Sequence, residues 1–230
     1  LFLWVHLFEP HEPYVKHAGH DFGDTDLDRY DSEVAAADEG LGAIVKSFRA
    51  ARPGALVIVT ADHGEAFGEH GRRTHNDIPW QEALHVPLLI YDPAGQNPAP
   101  GRVAGNWAQT DLAPTLVDLL GYQVTSGSFQ GSSLLRPAPP NRIVHSACMG
   151  EDTCVASLQG DRKLVLHFQH KKPELFDLAS DPLEKHNLAA EYPDELRRRT
   201  AELLRWDDEV KQRYAWFEVH RSEPLTVRSP

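Results

Sequence analysis

An aspartate and a histidine stand side by side, Asp62-His63, in residues 60–75, TADHGEAFGEHGRRTH, directly after a β-branched run. A carboxylate oxygen beside a neutral imidazole nitrogen suits a divalent cation. Gly64, Gly68 and Gly71 let the following backbone turn tightly and approach a ligand. The same residues admit a plainer use, with Asp62 capping the next turn and the histidines on the surface, because two adjacent ligands do not complete a shell. A second segment, residues 6–14 (HLFEPHEPY), carries His11 between Pro10 and Pro13. Two prolines stiffen that loop and present the ring with little conformational freedom. A histidine fixed beside an oxyanion can hand a proton to a leaving group, and a hydrogen-bonded structural histidine in a rigid turn fits the residues as well. His6 lies within an apolar run and reads as a core or supporting residue.

Both segments follow patterns that predict buried strands. Residues 1–7 (LFLWVHL) are nearly continuously apolar, and residues 55–59 lead straight into Thr60 and Asp62. Residues 86–91 (VPLLIY) form a third such run. Between the first two, apolar residues recur at Val34, Ala37, Leu41, Ile44 and Phe48, one face of a helix over 30–51 that Pro53-Gly54 ends. A further helix is expected over 111–120, before Gly121. The alternation predicts an α/β fold with a mainly parallel sheet sandwiched by helices. Asp62 and His63 then sit at the carboxyl end of a strand, where open α/β sheets bind their ligands. The later sequence has another rhythm: short strands at 141–148, 154–159, 163–168 and 174–176 predict a small antiparallel sheet, followed by a charged helix at 194–206. The expected organisation is an α/β part over 1–135, a small α+β subdomain over 141–217 and a tail over 218–230, whose residues 222–230 look unstructured.

Among 230 residues, 34 acids against 23 bases leave a net charge of −11, which argues against a nucleic-acid phosphate track. The apolar runs are too short to span a bilayer, and no intact signal peptide is visible. The chain opens on Leu1 inside an apolar run and its one methionine is Met149, so it reads as part of a longer protein. Several other signals fail on their own terms. Asp24, Asp26 and Asp28 open like an EF-hand loop, yet the sixth position is Arg29 and the twelfth Ala35. Gly40 and Gly42 lack the third glycine of a dinucleotide fingerprint, and neither a G-x-S-x-G elbow nor a G-K-[ST] loop is present. Cys148 and Cys154 flank a five-residue turn; they are placed to form a disulfide, as in an exported protein, or to remain buried thiols.

Taken together, HLFEPHEPY, YDSEVAAADEGLG, VIVTADHGEAFGEHG, QEALHVPLLIY, QTDLAPTLVDLLGY with FQGSSLL, and PELFDLASDPLEKHNLA resemble the carboxy-terminal half of a sulfatase, in the alkaline phosphatase-like superfamily. The resemblance runs in the family's order over residues 1–207. It implies that Asp62 and His63 are the second pair of metal ligands, most often for Ca²⁺, with Mg²⁺ or Mn²⁺ as alternatives. It implies that His11 faces the sulfate and its leaving oxygen, as catalytic and substrate-binding residue. His75 best matches the sulfate-contacting residue that follows GEHG, and Arg73 is a candidate to share that role.

The family's first metal ligands and its Cys-x-Pro-x-Arg or Ser-x-Pro-x-Arg segment, source of the formylglycine nucleophile, have no counterpart here. Cys148 precedes Met-Gly-Glu, Cys154 precedes Val-Ala-Ser, and the Ser-x-Pro sites at Ser180 and Ser222 lack the arginine. The expected protein is a sulfuric-ester hydrolase acting on a small-molecule or carbohydrate sulfate, completed by an amino-terminal part and exported. The rival readings are a phosphoryl-transfer or phosphonate-ester enzyme of the same superfamily, and a catalytically dead binding protein.

Overall fold

Thr25 precedes a first turn containing Asp26 and Asp28, and in the computed structural model it caps helix α1 (Asp26–Ala51). Its hydroxyl accepts from the Asp28 amide at 3.1 Å, and the Asp28 carboxylate accepts from the Thr25 amide at 2.9 Å. This reciprocal pair satisfies donors that a first helical turn leaves over. The acidic run is thus a helix start. The Arg52 amide closes the other end on the Phe48 carbonyl, ahead of Pro53. The structure describes residues 1–76, 78–93, 101–148, 154–169, 171–220 and 226–228. It divides into two compact units, residues 1–74 with 86–95 and residues 75–85 with 96–230. The boundary expected at 135–141 lies inside the second.

In the first unit β1 (Val57–Thr60) pairs with β2 (Leu88–Tyr91), Val57 opposite Tyr91 and Thr60 opposite Leu88. The pairing is antiparallel, and no parallel sheet is formed among the described residues, which corrects the expected architecture. A parallel crossover needs a helix long enough to carry the chain back along the sheet. Between β1 and β2 the helical pieces are a three-residue turn at Glu69–Gly71 and the single turn α2 (Gln81–Leu84), so the chain simply returns. Residues 1–7 form no strand; Leu1, Phe2 and Trp4 stand largely exposed, and His6 is exposed rather than in a core. A strand buried on both faces requires neighbours to accept its ladder, and among the described residues it has none. The expected apolar face of α1 also shifts. Val34 is exposed, and the buried residues of the helix are Ser32 and Glu33.

The second unit is built on aliphatic burial. Helix α3 (Leu112–Leu119) is followed by β3 (Gln123–Ser126), then by an antiparallel meander of β4 (Ile143–Ala147), β5 (Cys154–Gln159), β6 (Arg162–His167) and β7 (Glu174–Asp177). Helix α4 (Pro193–His220) runs well beyond the expected 194–206, and the spacing of Leu196, Leu203 and Trp206 lays one stripe on the sheet. Leu203 closes a core with Val155, Leu164, Leu166 and Leu175. The expected unstructured tail is corrected in part, because β8 (Thr226–Arg228) pairs antiparallel with β3.

Cys148 and Cys154 are joined by a disulfide, with Cα atoms 4.9 Å apart. The turn at 149–153, the Ser222 site and residues 94–100 lie outside the described residues. No described helix is long and apolar enough to cross a membrane.

Two of the sequence stretches singled out above act as structural clamps. Asp111, fully buried, accepts from the Arg142 guanidinium at 2.6 Å, the Ser132 amide at 2.7 Å and the Ala108 amide at 2.7 Å. Gly131 passes so close to the Thr110 carbonyl that a Cβ would lie 2.1 Å from its oxygen, which requires glycine in FQGSSLL. In the closing stretch, Glu184 pairs with buried Lys163 at 2.6 Å and accepts the Gln81 amide at 2.6 Å. Asn187 accepts from the Leu175 and Ala189 amides and donates to the Pro173 carbonyl.

Candidate active site

β1 ends at Thr60, whose hydroxyl donates to the Pro87 carbonyl at 2.9 Å, and Asp62-His63 follow at once. Asp62 Oδ1 accepts the His63 amide at 3.0 Å. The His63 ring lies with Nδ1 2.9 Å from the Gly64 carbonyl, an acceptor, so the hydrogen sits on Nδ1. In the neutral ring Nε2 then keeps the lone pair, 3.7 Å from Asp62 Oδ2. That is the tautomer a metal-binding imidazole needs, with the non-ligating nitrogen held by a carbonyl. The Asp62 side chain is 77% exposed and that of His63 42%, so water and ions reach both donors. The pair fits a divalent cation as one side of a shell. Among the described residues no group of three or more His, Cys, Asp or Glu is arranged to hold a metal, and Ca²⁺ takes six to eight oxygens or so.

Beyond the pair, the chain folds back on itself. Gly68 and Gly71 take positive φ, the Gly71 amide donates to the Gly68 carbonyl, and the Thr74 amide returns to the Ala66 carbonyl at 3.1 Å. Phe67 and Arg73 form an antiparallel bridge. Arg73 extends its guanidinium to within 3.4 Å of Asp26, at the start of α1. Thr74 has φ of +72°, a strained conformation for a β-branched residue. His75, grouped with these residues by the sequence, opens the second unit.

The proline loop belongs to the first unit. Its Glu9–Pro10 and Glu12–Pro13 bonds are both cis. His11 places Nδ1 2.7 Å from the Glu12 carbonyl, so Nδ1 carries a hydrogen in this ring too. Phe8 stacks on it, with centroids 4.5 Å apart. The backbone of the loop is held from α1: Glu33 accepts the His11 amide at 3.1 Å and the Val15 amide at 2.9 Å, and Ser32 accepts the His17 amide at 2.7 Å.

Tyr14 ties the loop to the DHGE segment. Its hydroxyl donates to Glu65 at 2.8 Å, and its ring packs near Tyr30 and Phe67. Burial, then the Glu65 carboxylate, push the Tyr14 phenol well above its usual range, so it remains a donor at any ordinary pH. His11, Asp62, His63 and Arg73 thus belong to one unit, with Tyr14–Glu65 joining the two motifs.

Sequence reasoning singled out neither Glu33, Ser32 nor Glu65. The available signal was a Ser-Glu pair one position before the expected apolar stripe on α1, and nothing in its type marks such a pair as buried.

Residues 1–122 match the Sulfatase family. The chain is 30% identical over 162 residues to the multifunctional alkaline phosphatase superfamily protein PehA of Trinickia caryophylli, covering 59% of this chain and 30% of PehA. It is 26% identical over 212 residues to arylsulfatase K of Bos taurus, covering 83% of this chain and 39% of that protein. The chain therefore spans between 30% and 39% of the length of these relatives. In fold it is similar to a 2-O GAG sulfatase, with a TM-score of 0.69 at 22% identity over 90% of this chain and 48% of that one. With the family match covering more than half its residues, the chain belongs to the sulfatase family of the alkaline phosphatase-like superfamily.

Proposed function

We propose that this chain is the carboxy-terminal part of a metal-dependent sulfuric-ester hydrolase. Its amino-terminal part would supply the other acidic metal ligands and the formylglycine nucleophile. The observation that carries this reading is the shared tether of His11 and His63, each with Nδ1 held by the next residue's carbonyl. Asp62 and His63 would hold a divalent cation, Ca²⁺ before Mg²⁺ or Mn²⁺, which would supply charge neutralisation at the sulfate oxygens and a lower pKa for the nucleophile.

The remaining chemistry falls to side chains of this chain. As the S–O bond breaks, the proton on protonated His11 Nε2 passes to the alcohol oxygen, and the ring is left neutral with Nδ1–H still on the Glu12 carbonyl. Arg73 contributes positive charge toward the sulfate by exchanging Asp26 for the substrate. The substrate class is a small-molecule or carbohydrate sulfate ester, a reading supported by the similarity to arylsulfatase K. Export is supported by the Cys148–Cys154 disulfide, a bond that persists in oxidising compartments.

A phosphoryl or phosphonate ester hydrolase is the second reading, favoured by the similarity to PehA, whose name places it among multifunctional alkaline phosphatase superfamily proteins. The full-length protein, loaded with Ca²⁺, decides between them on matched 4-nitrophenyl sulfate and 4-nitrophenyl phenylphosphonate. A kcat/KM at least about tenfold higher on the sulfate, a transition-state preference of about 1.4 kcal/mol, is the expected result. A preference for the phosphonate overturns it, and hydrolysis of neither ester with Ca²⁺ bound makes the protein a binder.

A further inference from the structure

We infer that Glu33 is the positioning residue for His11, acting through the loop backbone. The inference rests on the reading of His11 as the acid that protonates the leaving oxygen. Pro10 and Pro13 have no amide hydrogen, so a loop written EPHEPYV has few donors with which to pin itself. The pins come instead from α1. Glu33 is only 2% exposed, and its two oxygens accept from the amides of His11 and Val15 at 3.1 and 2.9 Å. The two bonds straddle Glu12, Pro13 and Tyr14, holding both ends of the turn that aims the ring.

Burying a carboxylate is costly unless its oxygens are satisfied, and α1 places this one where an apolar side chain would otherwise be expected. What it satisfies is the backbone on either side of the turn, at Val15 and at His11, the one loop residue assigned to chemistry. The ring is then oriented by two further contacts, Nδ1 on the Glu12 carbonyl and the Phe8 stack. Ser32, equally buried on the same helical turn, makes a parallel contact to the His17 amide, six residues further along the loop. That neighbour provides the control. A brace for the loop as a whole would involve both residues alike, whereas a positioning role for His11 singles out Glu33.

The test uses the full-length, Ca²⁺-loaded protein and two sulfate esters, one with a 4-nitrophenol leaving group and one with an alkyl alcohol. Nitrophenolate departs without a proton and the alkoxide does not, so the ratio of the two rates reports proton donation. Glu33→Gln is nearly isosteric but turns an NH₂ toward one of the two amides. Glu33→Asp keeps the charge on a side chain too short to reach both, and serves if the first variant folds poorly.

Each Glu33 variant should lower kcat on the alkyl ester by about 10–100-fold, the scale of a displacement near 1 Å. On the nitrophenyl ester kcat should stay within about threefold, because the donated proton is not needed there. His11→Ala should show the same selectivity with a larger loss, about 10²–10⁴-fold on the alkyl ester. Ser32→Ala should leave the ratio of the two esters unchanged.

Equal losses on both esters for the Glu33 variants, or the same altered ratio in Ser32→Ala, overturn the inference in favour of a general brace. A selective loss in His11→Ala with none in the Glu33 variants overturns the inference while His11 keeps its role. If His11→Ala itself shows no selectivity, the reading of His11 as the acid falls first, and the inference with it.

Discussion

The second unit has an aliphatic core, with Leu164 and Leu175 fully buried beside Val155, Leu166 and Leu203. In the first, the two most buried residues of its long helix are a serine and a glutamate. Both units bury a glutamate, but to different ends. Glu184 meets the buried Lys163 and the Gln81 amide, and clamps a turn onto a sheet that already has a core. Glu33 meets two amides of the loop that carries His11. One unit spends its burial on stability. The other places polar groups where they hold the backbone of the loop that carries His11. Changes in the first unit should therefore remove chemistry with little loss of fold, and changes in the second should do the reverse.

The largest effect is expected where that contrast is sharpest. Asp62→Ala combined with His63→Ala should weaken Ca²⁺ binding by more than the roughly 10–100-fold typical of outer-shell changes, and abolish measurable turnover. Calorimetric titration of the full-length protein with Ca²⁺ checks it. Unaltered affinity would break the assignment of the metal pair. Both side chains are exposed, so the unfolding midpoint of the metal-free protein should hardly move.

Lys163→Met in the second unit should act in the opposite sense. It strands the buried Glu184 carboxylate and should lower the unfolding free energy by about 3–5 kcal/mol in urea titrations. Activity per folded molecule should be retained. Leu164→Ala, at a fully buried core position, should cost about 3 kcal/mol by the same measurement.

The smallest effect is a pH dependence. Burial, and then the charge of Arg199, push His145 from 6.5 down to about 4, with its ring stacked on Trp206. Above 6.5 the folded and unfolded chains are both neutral at this site and the group has no effect. As pH falls from 6.5 toward 4 the unfolded chain takes up a proton that the folded one refuses, so stability is lost across that window. The loss reaches about 2.5 kcal/mol by pH 4.5, the low-pH end of the comparison, at roughly 1.4 kcal/mol per unit below 6.5. Comparing His145→Gln with the parent at pH 7 and pH 4.5 isolates it: the difference between the two proteins should narrow at the lower pH. An unchanged difference would show that the ring is protonated within the fold.

What could be read from residue types and spacing alone was considerable. The helices over 30–51 and 111–120, the antiparallel meander and the charged helix that follows it all form, because periodicity, caps and turn residues act over a few positions. The TADHGE and PHEPY stretches marked out Asp62, His63 and His11, since the pairing of an acid with an imidazole, and a histidine between prolines, are local facts. Strand direction between β1 and β2, and the absence of a strand at 1–7, were not legible. Pairing depends on what the chain does over the intervening residues and on which neighbours accept a ladder.

Glu33 and Glu65 were invisible for the same reason. A glutamate on a helix is ordinarily a solvated residue, and only the folded chain brings 22 residues of separation to a 3.1 Å contact with His11, or 51 to a 2.8 Å contact with Tyr14. The sequence by itself determined which groups are able to do the chemistry. The tertiary structure decided which nitrogen of each histidine is tethered and what holds its loop there, because hydrogen bonds across long separations exist only once the chain has folded.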